Sequence, residues 1–220
     1  MLFTIFSGIL FFIALLCLSI TLVIRCRGIY HLLAEPLHII SESGLTREVV
    51  LRNYDHLIKY CSPFYKGELI FPDFPSSDSA LSHFAETKVL FSCFFLAVPL
   101  CFLAGLFILA FKSWKKQKKI TIFAAEFSRS LRLTAWLCIF VPFGFLLFFL
   151  VDFHKIFYGM HHILFDNNNW IFDAATDPII TILPERYFLC CGVEIVIFLL
   201  LAAALLRHLR KYLKNSPIPL

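Results

Sequence analysis

Apolar and polar positions alternate in long blocks along this chain rather than at the short periods of a soluble fold. Four blocks are nearly free of charge: Leu2 to Ile24, Val89 to Phe111, Leu133 to Val151 and Leu189 to Leu206. A helix needs about 20 apolar residues to cross a hydrocarbon core, so each block predicts a transmembrane helix. The first has no Lys or Arg before it, an apolar run longer than a secretory leader needs and no small-residue cleavage pattern, and is read as a retained helix. Between the blocks lie a long segment (25–88), a basic loop (112–132), a second long segment (152–188) and a tail (207–220).

The long segments are not simple connectors. Leu51, Tyr54, Leu57, Ile58 and Cys61 recur at helical spacing and predict an amphipathic helix against the membrane face. Pro63, Pro72 and Pro75 then break the chain into a loop, and Ser79 to Lys88 resumes helical character. In the second segment, Phe153 to Phe165 continues the third helix until the turn-forming run Asp166-Asn167-Asn168-Asn169 ends it.

Composition agrees. The 220 residues are 60% hydrophobic and 16% charged, with mean hydropathy +0.81 and 27 Phe, which excludes a soluble globular domain, a disordered chain and a nucleic-acid reader. The expected fold is an all-α integral membrane protein, a single membrane domain over 1–220 with four transmembrane helices.

Charge then assigns the sides. The 112–132 loop holds Lys112, Lys115, Lys116, Lys118, Lys119, Arg129 and Arg132 against Glu126 alone, and the tail holds Arg207, Arg210, Lys211 and Lys214 with no acid. The positive-inside rule puts both, and both termini, in the cytoplasm, and makes 25–88 and 152–188 extracytoplasmic. Arg25 and Arg27 run against this assignment, since they abut the first helix at its outer end.

Candidate chemistry follows the sides. His31, His38, His56, His83, His154, His161 and His162 all fall in the two outer segments, and His208 alone falls in the tail. His83 and Glu86 are three apart, so they share a helix face as either a polar cap or an acid/base centre. Asp177 before Pro178 and Glu185 after Pro184 fit either turn and helix-start roles or catalytic ones. Glu194, inside the fourth span, is a functional candidate because carboxylates there are expensive. Of the cysteines, Cys17, Cys93, Cys101, Cys138, Cys190 and Cys191 sit in or beside predicted helices as small apolar residues, which leaves Cys26 and Cys61 as the one pair able to meet outside. No phosphate loop, paired CxxC or nucleophile elbow occurs.

The string from His161 through Asp166-Asn167-Asn168-Asn169-Trp170-Ile171-Phe172-Asp173, continued by Asp177-Pro178 and Pro184-Glu185-Arg186-Tyr187-Phe188, resembles bacterial four-span proteins of the lipoprotein intramolecular transacylase family. Their pattern runs approximately FHxxFFxNxxWxFDPxxDxxIxxxPExFF. Ser82-His83-Phe84-Ala85-Glu86-Thr87-Lys88 is similar to that family's SHxxDVK before the second span. Met160, Ala174, Glu86 and Thr87 depart from the patterns.

The resemblance implies a multi-pass enzyme of the bacterial cytoplasmic membrane with its active face outside. It would move the sn-2 acyl chain of a diacylglyceryl-cysteine to the cysteine α-amino group, leaving a lyso-form lipoprotein. Its partners would be the diacylated lipoprotein N-terminus and membrane phospholipid, with no nucleic acid, metal or cofactor. Of His83 and His161, one would be the catalytic base and the other the acid, since an amine attacks an ester only when unprotonated and imidazole is suited to take its proton. Glu86, Lys88, His162, Asn167, Trp170, Asp177 and Glu185 are orienting or substrate-binding candidates. Trp170 and Phe172 would line an acyl groove, and Glu185 or Asp177 would orient an imidazole. The alternatives are a metal-dependent membrane hydrolase using His83, Glu86, His161 and His162, and a non-enzymatic membrane interaction protein.

Overall fold

The computed structural model describes residues 1–114, 116 and 119–215, with the backbone alone at 147–151 and 213–215. Lys115 and Lys118 of the basic loop and residues 216–220 of the tail lie outside the described residues. The elements are α1 (Leu2–Arg25), α2 (Arg27–Leu33), α3 (Ile39–Ser43), α4 (Arg47–Tyr60), α5 (Asp78–Trp114), α6 (Lys119–Leu164), a 3-10 turn (Pro178–Ile182) and α7 (Glu185–Asn215). The described residues contain no strand. The four expected spans fall inside α1, α5, α6 and α7, each long and apolar enough to cross a membrane. Contacts gather the chain into two compact units.

The first unit comprises residues 1–20, 96–147 and 194–220. Lipid offers no hydrophobic gain for bringing helices together, so close packing and hydrogen bonds must do it. Both are present between α1 and α6. The Ser130 hydroxyl donates to the Thr4 carbonyl and the Thr134 hydroxyl to the Gly8 carbonyl, each at 3.0 Å. A Cβ on Gly8 would stand 2.9 Å from a methyl of Leu133, so only glycine permits this approach. Phe12, Ala135, Cys138, Leu199 and Ala203 fill the adjoining core. Leu96, Leu100, Leu103, Phe107 and Phe111 of α5 are spaced three or four apart and remain exposed, as a stripe facing lipid should. Glu126 is buried, salt-bridged to Lys112 at 2.8 Å and Arg129 at 3.1 Å, and accepts from the Thr4 hydroxyl.

The second unit comprises residues 21–95 and 148–193 and so unites both long connecting segments. The Tyr30 ring stacks on Tyr54 at 3.6 Å, and Tyr187 meets Tyr30 edge-on at 4.9 Å. Their hydroxyls are satisfied, Tyr30 donating to the Ile182 carbonyl at 2.7 Å and Tyr54 pairing with Tyr187 at 2.6 Å. Around them pack Ile39, Val50, Leu57, Phe71, Ala80, Phe84, Ile179 and Ile182. The expected amphipathic helix is α4, started by Thr46 as N-cap. Its apolar face does not lie against a membrane, because Val50, Tyr54, Leu57 and the following Cys61 are buried in this protein core. Asn53 on the same face is fully buried and donates to Asp73 at 2.6 Å.

Two local features differ from expectation. The helix continuing the third span is interrupted at Asp152, where the backbone is extended (φ −162°, ψ 89°), and the Asp152 carboxylate accepts from the Lys155 amide at 3.1 Å to cap the restarted helix. Cys26 and Cys61 form no disulfide: Cys26 is an exposed thiol and Cys61 a buried one that belongs to the tyrosine core.

Gly8→Val should therefore destabilise the protein by about 1–3 kcal/mol through overpacking against Leu133. Gly28→Ala, at a helical position where an added Cβ meets nothing within 4 Å, should leave stability unchanged or slightly raised. Thermal unfolding of both variants in one detergent checks the contrast.

Candidate active site

The site lies wholly in the second unit, at the meeting of α5's first turns with the end of α6 and the loop that follows. Ser77 is the N-cap of α5, its hydroxyl accepting from the Ala80 amide at 3.1 Å. Asp177 fixes that cap from the other segment, accepting from the Ser77 amide at 2.7 Å, the Ser77 hydroxyl at 2.9 Å and the Thr176 hydroxyl at 2.7 Å. This carboxylate is almost fully buried and touches no imidazole. Its position holds the helix carrying His83 to the segment that follows His161.

One and two turns into α5 come His83, Glu86 and Thr87. The α6 helix ends at an Asx turn, in which Asn167 Oδ1 accepts from the Asn169 amide at 2.9 Å and the Asn167 carbonyl accepts from Trp170 Nε1 at 2.9 Å. That turn lays the indole on the histidines: Trp170 is 4.9 Å from the His161 ring and 5.1 Å from His162. The Asn167 amide reaches across to donate to Glu86 Oε1 at 2.9 Å.

The His83 and His161 rings, 78 positions apart in the chain, lie 5.9 Å apart between centres. Aromatic rings enclose them. His83 faces Phe165 at 4.6 Å, Phe172 at 5.5 Å and Phe84 at 5.8 Å. His161 faces Phe157 at 4.4 Å and Phe165 at 5.7 Å. Such walls disfavour charge. His83 precedes the apolar stretch of its helix, and burial, with a smaller contribution from the neighbouring His161, pushes its pKa down to about 4. Burial also lowers His161, partly opposed by its hydrogen bond to the Phe157 carbonyl. Both imidazoles are therefore neutral at pH 7.

The tautomer of His161 follows from its partner. A carbonyl can only accept, so Nδ1 carries the proton it donates to Phe157 O at 2.8 Å, and Nε2 presents the lone pair. His83 Nε2 meets the Thr87 hydroxyl at a long 3.4 Å, while its Nδ1 is buried without a hydrogen-bond partner. Glu86 Oε2 is likewise buried and unpartnered. Orphaned buried polar atoms of this kind, beside two neutral imidazoles, mark a candidate substrate-binding centre.

The other expected residues fall elsewhere. Glu185 binds His154, not His161, with His154 Nδ1 at 2.8 Å. Lys88 donates to the Tyr65 carbonyl at 2.7 Å and lies over the Tyr60 ring at 4.4 Å, so it anchors the 60–65 loop. His162 is exposed. Trp170 is buried among Tyr158, His161 and His162, a platform under the imidazoles rather than an open groove wall. Glu194 belongs to the first unit, where its Oε2 is buried without a partner. Among the described residues no group of three or more His, Cys, Asp or Glu is placed to hold a metal ion. Residues to which no role was assigned are Phe157, Phe165 and Thr87. Phe157 and Phe165 stand four positions either side of His161, and Thr87 four after His83, the spacing that puts helical residues on one face.

A family model described as lipoprotein intramolecular transacylase Lit matches residues 5–188. Among solved structures, the chain resembles the in meso structure of the membrane-integral lipoprotein intramolecular transacylase Lit from Bacillus cereus, with TM-score 0.83 at 27% identity over 97% of this chain and 95% of that one. Structures of the same protein with one histidine changed to arginine or to alanine match with TM-score 0.74 at 28% identity, over 97% of this chain and 91% and 93% of theirs. No curated protein matches the chain.

The depressed pKa of His83 gives a sign to the pH dependence of stability. The unfolded chain takes up this proton near pH 6.5 and the folded chain near 4, so the unfolded state binds more protons between them. Stability should fall as pH drops through that window, and the fall should be smaller in His83→Gln; thermal unfolding in detergent from pH 7.5 to pH 4.5 measures the difference.

Proposed function

Since this chain belongs to the lipoprotein intramolecular transacylase family and is an acyl-transferring membrane enzyme, we propose that it moves the sn-2 acyl chain of a diacylglyceryl-cysteine to the α-amino group of the same cysteine, with His161 carrying the proton and His83 stabilising the oxyanion. The observation that carries this reading is the pairing itself: two neutral imidazoles 5.9 Å apart inside one aromatic enclosure.

The α-nitrogen attacks the ester carbonyl carbon as its proton passes to Nε2 of His161, whose lone pair is left free by the Nδ1–H bond to Phe157. A neutral His83 N–H stabilises the resulting oxyanion. Collapse of the tetrahedral intermediate breaks the bond from the carbonyl carbon to the sn-2 oxygen, and the leaving alkoxide takes the proton back from the His161 imidazolium. The same desolvation that makes this imidazolium hard to form makes it a ready donor to the alkoxide. Atoms balance with no co-reactant: an ester and an amine become an amide and an alcohol. Nucleophile and electrophile sit on one molecule, so positioning supplies on the order of 7–11 kcal/mol of the barrier. Glu86, with Oε1 held by Asn167 and Oε2 unpartnered, suits the incoming ammonium, which releases one proton to water to become the neutral amine that attacks.

The sides follow from charge: termini and the 112–132 loop in the cytoplasm, 25–88 and 152–188 outside, in a bacterial cytoplasmic membrane where the lipoprotein amino terminus is presented. On a cysteine-free background, Glu68→Cys should react with an impermeant thiol reagent in intact cells and Lys116→Cys should not. Labelling of position 116 would reverse the assignment.

His161→Ala should lower transfer by about 10²–10⁴-fold, the range for losing a general acid or base, and His83→Ala by about 10²–10³-fold, the range for losing an oxyanion donor. The double variant should lose far less than the product of the two, because residues serving one transition state as a unit are not additive. His154→Ala and His208→Ala should be near neutral. The ratio of lyso-form to diacyl lipoprotein is the readout, with membrane abundance measured alongside; full activity in His161→Ala would remove the pair.

A further inference from the structure

We propose that the cleft at the Arg25 end of α1 is a binding site for a phosphodiester anion, supplied by the headgroup of an acidic phospholipid. The cleft encloses about 280 Å³ and brings together Arg25, Arg27 and Lys59. Three cations this close repel one another unless an anion compensates them, and the protein supplies little. Among the described residues the one acid within 4.0 Å of any of them is Asp55, at 3.9 Å from Arg27, and its carboxylate is already engaged by His31 Nε2 at 2.9 Å. Arg25 is instead steadied by the Ser62 hydroxyl, to which it donates at 3.2 Å. Lys59 has no ion pair or side-chain hydrogen bond among the described residues, and its ammonium lies 5.6 Å from the Tyr65 ring centre.

Depth and the apolar wall identify the source of the anion. Arg25 closes a helix of 24 residues, roughly 36 Å long at 1.5 Å per residue, so in a hydrocarbon core of about 30 Å it stands at headgroup level. Ile58 and Phe64 complete the cleft. Phe64 is largely exposed and meets Phe95, in the apolar stretch of α5, edge-on at 5.4 Å. A cationic head and an apolar flank that continues onto a spanning helix fit an amphiphile better than a free ion. Guanidinium forks match phosphate oxygens in pairs, and Arg is more weakly hydrated than Lys, which suits two of the three to this role. The site also accounts for the two arginines that stand against the charge bias of the flanking loops: their cost is offset by a lipid partner. It is independent of the acyl-transfer reading, since no residue of the cleft touches the histidine pair.

Native mass spectrometry of the full-length protein in neutral detergent tests this, with phosphatidylglycerol, phosphatidylcholine and inorganic phosphate as probes. The expected result is one phosphatidylglycerol held at least tenfold more tightly than phosphatidylcholine and not displaced by excess inorganic phosphate. Arg25→Gln or Lys59→Gln should weaken it roughly fivefold and the double variant roughly 25-fold, the effect of removing one or two cations beside an anionic headgroup. The melting temperature in detergent should not change. Should Arg25→Gln disturb folding through loss of the Ser62 contact, Lys59→Gln, at an exposed position whose ammonium is 5.6 Å from the Tyr65 ring centre, carries the test alone. Equal affinity for the two lipids, or unchanged phosphatidylglycerol binding in the Lys59→Gln variant, would overturn the proposal. One-for-one displacement by inorganic phosphate would overturn the lipid as its source.

Discussion

A single buried carboxylate ties together the two segments that carry the histidine pair. Asp177 takes the amide and hydroxyl of Ser77 and the hydroxyl of Thr176, and Ser77 in turn caps the helix that begins at Asp78. Where α5 starts, and in which rotation, decides where His83 points one turn later. Where Asp177 sits decides the path of the loop that brings Trp170 and Phe172 over the two imidazoles. Removing one partner of a buried charge-assisted hydrogen bond leaves the other desolvated, so this contact has little freedom to slip. The tyrosine core supports it, with Tyr30 bonded to the carbonyl of Ile182, the last residue of the 3-10 turn, and Tyr187 bonded to Tyr54.

From that geometry the electrostatics follow. Phe84, Phe157, Phe165, Phe172 and Trp170 give the imidazoles apolar walls, and apolar walls lower imidazole basicity. A histidine that stays neutral at the pH of the reaction keeps one nitrogen to accept and one to donate, which is what an amine attacking an ester requires. Placed in open water the same pair would be partly protonated near pH 6.5, and a protonated imidazole has no lone pair with which to accept.

Much of this was legible in the sequence because the membrane simplifies the problem. Four apolar blocks can be little else than helices, and the His83 and His161 motifs stand beside two of them. Contacts set by spacing on one helix, as for His161 with the Phe157 carbonyl four residues earlier, carry a signal in the periodicity, although Phe157 was assigned no role. Contacts between distant segments were not legible. Glu185 and Asp177 looked equally able to orient a catalytic imidazole, yet Glu185 binds His154 and Asp177 takes the amide and hydroxyl of Ser77 at the start of α5, partners too distant in the sequence for any spacing to announce. Trp170 read as a groove wall and is a buried platform, since the Asx turn at Asn167 folds the indole inward. The apolar face of α4 read as a membrane surface and is core, because a stripe of Val, Tyr and Leu does not distinguish lipid from protein.

The account stands or falls on whether acyl transfer is intramolecular and goes to nitrogen. The most direct measurement is mass spectrometry of a lipoprotein's N-terminal lipopeptide after the purified enzyme acts on a mixture of two diacyl lipoproteins, one of which carries an isotope label in its sn-2 chain. The expected result is an N-acylated lyso-form in which labelled acyl chains appear only on peptides that began with labelled lipid. Label on the other peptide, or label released as free fatty acid with the amine unmodified, would contradict it.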